Sequence, residues 1–309
     1  MNWQRELKKK LRLNFKGDYK FDELLLKHTT FRIGGKCSLW CEPEDLDSLR
    51  FILRYKKYKD IPLFVIGEGS NVLVRDGGFR GIVVYLNSPY FKRIEFKERY
   101  VLAGSGVKLR EIIRSASRKN LGGMEFLAGI PGRLGGALMM NAGVTERFQE
   151  QNLKFKSIGD LVESITVMDY NGSIRNLNRG EIKFEYRSSG LSEYIILSTA
   201  LKFKKRKREK ILKIIKQFLE YRRNTQDLRY PSIGCVFKNP KDNSAGRLIE
   251  ACGLKGKRIG GAQISSKHAN FIVNIKDAKA KDVLRLMRII QREVYRKFRI
   301  SLKPEIRII

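Results

Sequence analysis

Apolar residues recur at helical spacing along much of the chain. Residues three and four positions apart lie on one face of an α-helix, so each such pattern predicts a helix with a buried face. Helices are predicted at 1–16, 45–60, 109–120, 202–223, 244–253 and 277–298. In the fourth helix, the residues of the expected buried stripe are Ile211, Ile214, Ile215, Phe218 and Leu219.

Short apolar or alternating runs between glycines predict strands. These runs fall within 61–74, 81–86, 163–177, 258–275 and 302–309. Asn171-Gly172 is a turn dipeptide, so 163–177 is predicted as a hairpin, while 258–275 is predicted as a turn that feeds an alternating strand. Helices and strands mixed in this irregular order are typical of an α+β protein.

The charge of the chain is strongly basic. Its 309 residues carry 64 Lys and Arg against 32 Asp and Glu, a formal net charge of +32. The length fits two or three modules, and a hydrophobic fraction of 42% is enough to form cores. The basic residues are spread widely and concentrate only in 202–223. A solvated helix face, attraction of a polyanionic small molecule and nucleic-acid binding are all consistent with this distribution.

The cysteines form no disulfide or metal framework. Cys37, Cys41, Cys235 and Cys252 contain no CxxC pair, and His28 and His268 complete no metal-ligand spacing. We therefore expect no metal, and we expect Cys37, Cys41 and Cys252 to be packing residues in a reducing cytoplasm. With no apolar run near the roughly 20 residues of a membrane span and no secretory signal, we expect a cytoplasmic protein without membrane contact.

Two glycine-rich loops are candidate anion sites. GEGSNVLV (67–74) follows a strand, but Val72 stands where a dinucleotide fingerprint needs its third glycine, and by itself the segment is consistent with a plain hairpin. AGIPGRLGGALMMNAG (128–143) holds five glycines and a proline. Glycines let backbone N–H groups approach a ligand closely, so two such loops suit a pyrophosphate; two unrelated tight turns are the alternative.

These segments resemble known flavoproteins. HTTFRIGG (28–35), GEGSNVLVRDGGFRG (67–81) and the 128–143 loop look like the flavin-binding domain of vanillyl-alcohol-oxidase-type proteins. YRSSG (186–190), GCVFKNP, the run 244–274 and PEI (304–306) resemble the UDP-N-acetylenolpyruvoylglucosamine reductase family. The resemblance runs in order from about residue 20 to residue 306, and it fits the subclass that lacks an extra inserted loop over the substrate.

The resemblance implies a fold and an activity. The expected fold is α+β: a two-subdomain FAD-binding module of the vanillyl-alcohol-oxidase type (1–88 and 89–205), followed by a smaller α+β substrate domain (206–309). The implied enzyme uses dissociable FAD, takes its electrons from NADPH and reduces the enolpyruvyl ether of a UDP-sugar to UDP-N-acetylmuramate for peptidoglycan. We expect a monomer that acts on this small molecule and binds no nucleic acid.

The motif match carries roles to individual residues. Arg187 is expected to hold the substrate carboxylate, Glu305 to help polarise it, and Cys235 to donate a proton where many family members carry serine. A thiol, with an ordinary pKa of about 8.5, is a stronger acid than a hydroxyl, and we expect a tight turn to aim it at the substrate. Tyr186 and Asn239 are expected to line the substrate site. The expected cofactor contacts are Gly67, Gly69, Ser70, Asn71, Gly129, Ile130, Pro131, Gly132, Gly135, Gly136, Asn141, Ala142 and Gly143.

Some features stay open at the level of sequence. Arg133 stands where the family usually has a small residue, and it either contacts the FAD pyrophosphate or points to solvent. His28 is expected near the flavin but outside the loop of covalent attachment. A carbohydrate or alcohol oxidase of the same fold and a basic nucleic-acid-binding protein with a degenerate flavin fold are the alternative functions.

Overall fold

A computed structural model describes residues 2–145 and 155–309 of the chain. The α-helices of these residues are α1 (Asn2–Asn14), α2 (Leu46–Lys59), α3 (Leu109–Arg118), α4 (Leu134–Met139), α5 (Arg208–Thr225), α6 (Ala245–Ala251) and α7 (Ala280–Phe298). The mixture of these helices with many short strands confirms the α+β class.

The strands are short, and most of them pair antiparallel. They are β1 (Gly17–Phe21), β2 (Cys37–Pro43), β3 (Leu63–Ile66), β4 (Val72–Leu73), β5 (Phe79–Tyr85), β6 (Ile94–Lys97), β7 (Tyr100–Gly104), β8 (Leu121–Gly122), β9 (Gly143–Thr145), β10 (Phe155–Ser157), β11 (Val162–Asp169), β12 (Ile174–Asn178), β13 (Tyr194–Lys202), β14 (Lys204–Lys205), β15 (Ser232–Cys235), β16 (Arg258–Ile259), β17 (Ala262–Ile264), β18 (Phe271–Asn274) and β19 (Arg307–Ile308).

The chain divides into two compact units, and the first is the larger. Unit 1 comprises Met1–Phe21, Leu39–Gly67 and Gly81–Glu220. It contains a sheet in the order β1-β2-β5-β3 and a five-stranded sheet in the order β12-β11-β13-β7-β6. One apolar core packs α3 and α4 with the five-stranded sheet, and another packs α1 and α2 with the four-stranded sheet.

Unit 2 is assembled from three separate stretches: Asp22–Ser38, Glu68–Arg80 and Tyr221–Ile309. Its sheet has the order β15-β18-β17-β16, and β19 pairs in parallel with β4. One core joins α6 and α7 to this sheet and to Phe31, Ile33 and Leu73 from the two N-terminal stretches. The expected three-domain division at 88 and 205 stays a prediction.

Most helix predictions are confirmed, and the deviations have physical causes. The 202–223 helix begins only at Arg208, because Lys202 ends β13 and Lys204 and Lys205 pair with β8. Leu219, expected in the buried stripe, is 41% exposed, whereas Ile211 and Phe218 of the same stripe are buried. All four residues of β18 are buried, so this central strand does not alternate.

The 67–74 segment is not a hairpin. The strand within this segment, β4, pairs with the distant β19, with Val72 opposite Arg307 and Leu73 opposite Ile308. The hairpin prediction at 163–177 is confirmed by β11 and β12, with Gly172 in the left-handed region at φ +91°. Among residues 2–145 and 155–309, no helix is long and apolar enough to cross a membrane, and no metal-holding group of His, Cys, Asp or Glu is found.

Asp76 secures the start of α7 in unit 2. Its carboxylate accepts hydrogen bonds from the backbone amides of Ala280 at 2.8 Å and Lys281 at 3.0 Å. The first amides of a helix have no partner within the helix, and an acidic side chain there also interacts favourably with the helix dipole. A residue of one glycine-rich loop thereby fastens a helix some two hundred positions later.

We expect Asp76→Ala to lower the free energy of unfolding by about 1–2 kcal/mol, the range of a lost helix cap. Urea denaturation followed by circular dichroism measures this change. Asp18→Ala, at an exposed position in β1, is the control and should stay within about 0.5 kcal/mol. Equal effects of the two substitutions would contradict the capping role.

Candidate active site

Arg187 lies in a tight turn of unit 1. Glu185 and Ser188 exchange backbone hydrogen bonds of 2.9 and 3.2 Å, which leaves Tyr186 and Arg187 at the tip. Arg187 has φ +58°, a left-handed conformation that is unfavourable for a side chain of this kind. The guanidinium lies 5.3 Å from the ring centroid of Tyr186 and 5.8 Å from that of Phe155. Backbone strain held by surrounding contacts is a feature of functional sites.

The end of the 128–143 loop holds this turn. Arg187 Nη1 donates to the Gly143 carbonyl at 2.7 Å, and the Ser189 hydroxyl donates to the Met139 carbonyl at 3.0 Å. Asn141 Nδ2 adds a third bond, to the Glu185 carbonyl at 2.8 Å. Arg187, Tyr186 and the 139–143 segment are therefore brought together within unit 1, although they are far apart in sequence.

The glycine-rich part of the same loop is fastened to the turn after β7. Leu109 N donates to Gly132 O at 3.0 Å, Leu134 N to Val107 O at 2.9 Å, and Gly135 N to Ser105 O at 2.8 Å. A Cβ on Gly135 would lie 2.9 Å from the Ser105 Cβ, so this close approach requires glycine. The loop backbone is consequently fixed by its own partners before any ligand is considered.

Arg133 is buried within unit 1 and does not point to solvent. Only 5% of its surface is exposed, and its guanidinium donates to the Gly106 carbonyl and to the Tyr85 hydroxyl. The guanidinium also stacks over the Tyr85 ring, 4.5 Å from the centroid. A Cβ on Gly67 would meet Arg133 at 3.6 Å. Arg133 thus joins the 128–143 loop to the ends of β3 and β5.

Cys235 lies in unit 2 at the end of a strand, not in a tight turn as expected. It pairs with Phe271, and the register shifts between Ser232 and Cys235. The shift is a bulge that accommodates Gly234 at φ +78°. A bulge re-aims the side chain beside it, and the expectation that this local geometry aims the thiol at the substrate stays a prediction. The side chain is partly exposed.

Glu305 is the neighbour of the Cys235 segment in unit 2. Glu305 N donates to Val236 O at 2.8 Å, and Phe237 forms a bridge with Pro304. On the other side of this segment, Asn270 accepts from Phe237 N at 3.0 Å and donates to Phe237 O at 2.8 Å. The thiol and the carboxylate are therefore carried on adjacent stretches of backbone.

The GEGSN loop contributes to the same region of unit 2. Asn71 Nδ2 donates to the Glu305 carbonyl at 3.2 Å, and Arg307 N donates to Asn71 O at 2.9 Å. Gly69 has φ +60°, and a Cβ there would lie 2.3 Å from the His28 carbonyl, so only glycine fits. The His28 ring is 2.9 Å from Glu23. Asn71, expected as a cofactor contact, therefore also supports the Glu305 backbone.

Arg222 is a charged neighbour of Cys235 that the sequence reasoning missed. Burial lowers the pKa of Arg222 below its usual value, and the negative charge of a Cys235 thiolate would act in the opposite direction. Arg222 lies within the basic stretch 202–223, and nothing in the sequence distinguishes it there as a neighbour of Cys235.

The predicted residues fall in both units. Unit 1 holds Arg187, Tyr186, Gly67 and the expected contacts of the 128–143 loop, while unit 2 holds Cys235, Glu305, Asn239 and the residues from Gly69 to Asn71. Asn239 is exposed, and its Oδ1 accepts a hydrogen bond from Ala245 N at 3.0 Å, at the start of α6. The roles of all these residues stay predictions.

The remaining thiols are packing residues to different degrees. Cys37 and Cys41 are buried, whereas Cys252 is partly buried beside the core of unit 2. Burial raises the pKa of the Cys37 thiol to about 12. Cys37 is therefore neutral in the folded protein throughout the physiological range.

Comparison with known proteins first defines a class. The family model of the FAD binding domain matches residues 38–178, which contain the Arg133 loop and most strands of the four- and five-stranded sheets, although β1 and β13 lie outside the match. The expected flavin-binding module is thereby confirmed. The C-terminal domain model of UDP-N-acetylenolpyruvoylglucosamine reductase matches residues 226–309, which carry Cys235 and Glu305.

Whole-chain relatives then define the family. The chain is 38% identical to the UDP-N-acetylenolpyruvoylglucosamine reductase of Clostridium tetani, over 94% of this chain and 92% of that one. It is 40% identical to the Moorella thermoacetica reductase, over 93% and 92%. The crystal structure of the Thermus caldophilus reductase matches with a TM-score of 0.79 and 34% identity, covering 95% of this chain and 99% of that one. The chain belongs to the UDP-N-acetylenolpyruvoylglucosamine reductase family and is an oxidoreductase.

The residues of unit 1 fit a bound FAD. The Ser105 hydroxyl is buried and has no hydrogen-bond partner among the described residues, although it lies beside the 128–143 loop at Gly135. A Cβ on Gly136 would meet no described atom within 4 Å. An unsatisfied buried hydroxyl and an accessible stretch of glycine backbone are what a polar, phosphate-bearing ligand can use.

We expect Arg133→Lys to weaken FAD binding by about tenfold, because lysine keeps the charge but cannot hold two partners with a planar fork. Titration of the apoprotein with FAD, followed by quenching of flavin fluorescence, measures the change. Arg179→Lys is a matched control, since Arg179 donates to the Gly159 and Ile182 carbonyls and stacks on Phe184. Equal losses in both variants would show that Arg133 has no special relation to the cofactor.

The Cys37 thiol predicts a loss of stability in alkaline solution. Its pKa is raised in the folded state to about 12, so its stabilising contribution is complete below the ordinary pKa of a thiol and is lost as the pH rises from that value to about 12. The wild type should therefore lose up to about 1.4 kcal/mol per pH unit more than Cys37→Ala in that window. Urea unfolding at pH 7, 9 and 10 measures the difference, and parallel losses would contradict it.

Proposed function

We propose that this protein catalyses the NADPH-dependent, FAD-mediated reduction of UDP-N-acetylglucosamine enolpyruvate to UDP-N-acetylmuramate, a step in peptidoglycan precursor synthesis. The observation that carries the proposal is the adjacency of Cys235 and Glu305 in unit 2, joined by the bond from Glu305 N to Val236 O. This adjacency of backbone supports the proposal that the Cys235 thiol, as proton donor, and the Glu305 carboxyl group act on the same substrate. The reductase C-terminal match at 226–309 disfavours an oxidase of the same fold.

The proposed chemistry divides between bound FAD and the chain. When bound, FAD supplies a hydride, taken from NADPH, to the terminal carbon of the enolpyruvyl group. The chain must then stabilise negative charge on the substrate carboxylate and protonate the adjacent carbon. Arg187 would hold the carboxylate with its planar set of donors, Glu305 would help to polarise it, and the Cys235 Sγ–H would give the proton.

The proposed cofactor contacts use mainly backbone groups. Gly129, Gly132, Gly136 and the run from Gly67 to Asn71 would offer N–H donors to the pyrophosphate, because Pro131 has no N–H and the amides of Ile130, Leu134 and Gly135 already donate to carbonyls of the chain. The Ser105 hydroxyl would gain a partner. Because the GEGSNVLV segment contains no histidine, we propose dissociable FAD. Among the substrate contacts, Tyr186 would offer its ring, which is 40% exposed, and Asn239 would offer its Nδ2, since its Oδ1 is used by Ala245.

The charge of the chain fits this choice of ligands. NADPH and a UDP-sugar are both polyanions, and a positive field raises the encounter rate of such ligands. The same proposal includes a division into two flavin subdomains, 1–88 and 89–205, and a substrate domain, 206–309. It also includes a monomeric state and a cytoplasmic location.

An anaerobic spectroscopic titration tests the proposed function. The purified protein, reconstituted with FAD, receives one equivalent of NADPH and then UDP-N-acetylglucosamine enolpyruvate while the visible flavin band is recorded. Bleaching followed by return of the band supports both half-reactions. Bleaching that persists after the sugar nucleotide is added would exclude the substrate, and folded protein that binds no FAD would exclude the whole proposal.

Cys235 variants separate proton donation from structure. We expect Cys235→Ala to allow flavin reduction by NADPH but to slow reoxidation by the substrate by about 10²–10⁴-fold, the size of a lost general acid. Cys235→Ser should retain substantial activity, because a hydroxyl can also donate. Stopped-flow absorbance measures each half-reaction. If Cys235→Ala lost both half-reactions, the residue would be structural instead.

A further inference from the structure

Asn141 is a buried amide whose two ends are both engaged. It is 3% exposed and has φ +42°. Its Nδ2 donates to the Glu185 carbonyl at 2.8 Å, and its Oδ1 accepts from the Gly159 amide at 3.1 Å. Each contact is made to backbone that is distant in sequence. Asparagine tolerates the left-handed conformation better than other non-glycine residues, so this position suits a side chain that must bridge two segments.

The Glu185 carbonyl belongs to the turn that presents Arg187. With the bonds from Arg187 to Gly143 and from Ser189 to Met139, Asn141 completes a set of three hydrogen bonds between 139–143 and 185–189. Two of the three originate in the turn, and only the Asn141 bond is donated from the loop side chain. The turn is held from both ends and at its guanidinium.

The anchoring segment is itself fixed. Gly143 pairs with Ser157 in the β9–β10 ladder, and a Cβ on Gly143 would lie 2.3 Å from the Lys156 carbonyl. The Gly143 carbonyl therefore belongs to a paired strand that packs closely against the Lys156 backbone. Movement of the turn would therefore change the distance between Arg187 and its anchor.

We propose that Asn141 is a positioning residue for Arg187, acting through the Glu185 carbonyl, and not a side-chain ligand of FAD. The inference rests on the proposed function, because it assigns Arg187 to the substrate carboxylate. The 139–143 segment is the end of the 128–143 loop. One stretch of backbone would therefore both support the cofactor and position the arginine that binds the substrate carboxylate.

Asn141→Asp removes the relevant bond with little change of shape. A carboxylate still accepts from Gly159 N, but when ionised it cannot donate to Glu185 O and repels that carbonyl. We expect flavin reoxidation by the enolpyruvyl substrate to slow by about 10–100-fold, from the loss of one buried hydrogen bond. The dissociation constant of FAD and the rate of flavin reduction by NADPH should stay within about threefold of the wild type.

The matched control is Asn176→Asp, the same chemical change at an exposed residue of β12, which should alter none of these quantities. Fluorescence titration gives FAD affinity, stopped-flow absorbance gives the two half-reactions, and calorimetry gives binding of UDP-N-acetylmuramate, whose carboxylate Arg187 would hold. Weaker FAD binding by Asn141→Asp with normal reoxidation per bound flavin would assign Asn141 to the cofactor and overturn the proposal. Unchanged FAD binding and unchanged reoxidation would also overturn it.

Ser189→Ala provides a second variant if Asn141→Asp does not fold. It removes the Met139 contact from the same set of bonds, and we expect a reoxidation defect of about 3–10-fold with FAD affinity preserved. No selective defect in this variant would then overturn the proposal. The wild-type titration is read first: if it fails, the proposed function fails, whereas a wild type that completes both half-reactions isolates the role of Asn141.

Discussion

The rest of the structure depends on one constraint: buried amides and carbonyls of irregular backbone must find hydrogen-bond partners outside helices and sheets. Asn141, Asn270 and Asn274 are at most 8% exposed, and each accepts a hydrogen bond from one backbone amide and donates to a backbone carbonyl. An unpaired buried amide or carbonyl costs about 1–3 kcal/mol. These side chains therefore substitute for the ladders that helices and sheets would provide, and they allow loops to be rigid.

Rigid loops are what the proposed chemistry requires. Arg187 occupies a left-handed conformation at the tip of a turn, and Cys235 follows a left-handed glycine in a bulge. Neither geometry would persist without surrounding contacts, and in both cases an asparagine binds the adjoining backbone. Placing a donor within a few tenths of an ångström by such second-layer contacts is a general condition for precise catalysis.

The sequence predicted the regular elements well because their signals are local. Periodic apolar positions located the long helices, and Asn171-Gly172 located a hairpin. Periodicity wrongly placed Leu219 in a buried stripe, and the family resemblance, which implies that Asn141 is a cofactor contact, gave no sign of its bonds to Glu185 and Gly159. Those interpretations depend on which distant segment packs against a residue, and a single sequence carries no record of that. Arg133 illustrates the limit. The sequence shows an arginine where the family usually has a small residue, but only the fold shows its contacts with Gly106 and Tyr85.

The pairing of β19 with β4 has a consequence for how the protein forms in the cell. Val72 and Arg307 are 235 positions apart, and unit 2 takes its core from both sides of that interval. Contacts between such distant residues carry the entropy of a long loop and slow folding. The stretch 22–38 is synthesised long before the C-terminal residues that its apolar side chains pack against. Unit 2 can therefore be completed only after the chain has been synthesised as far as β19.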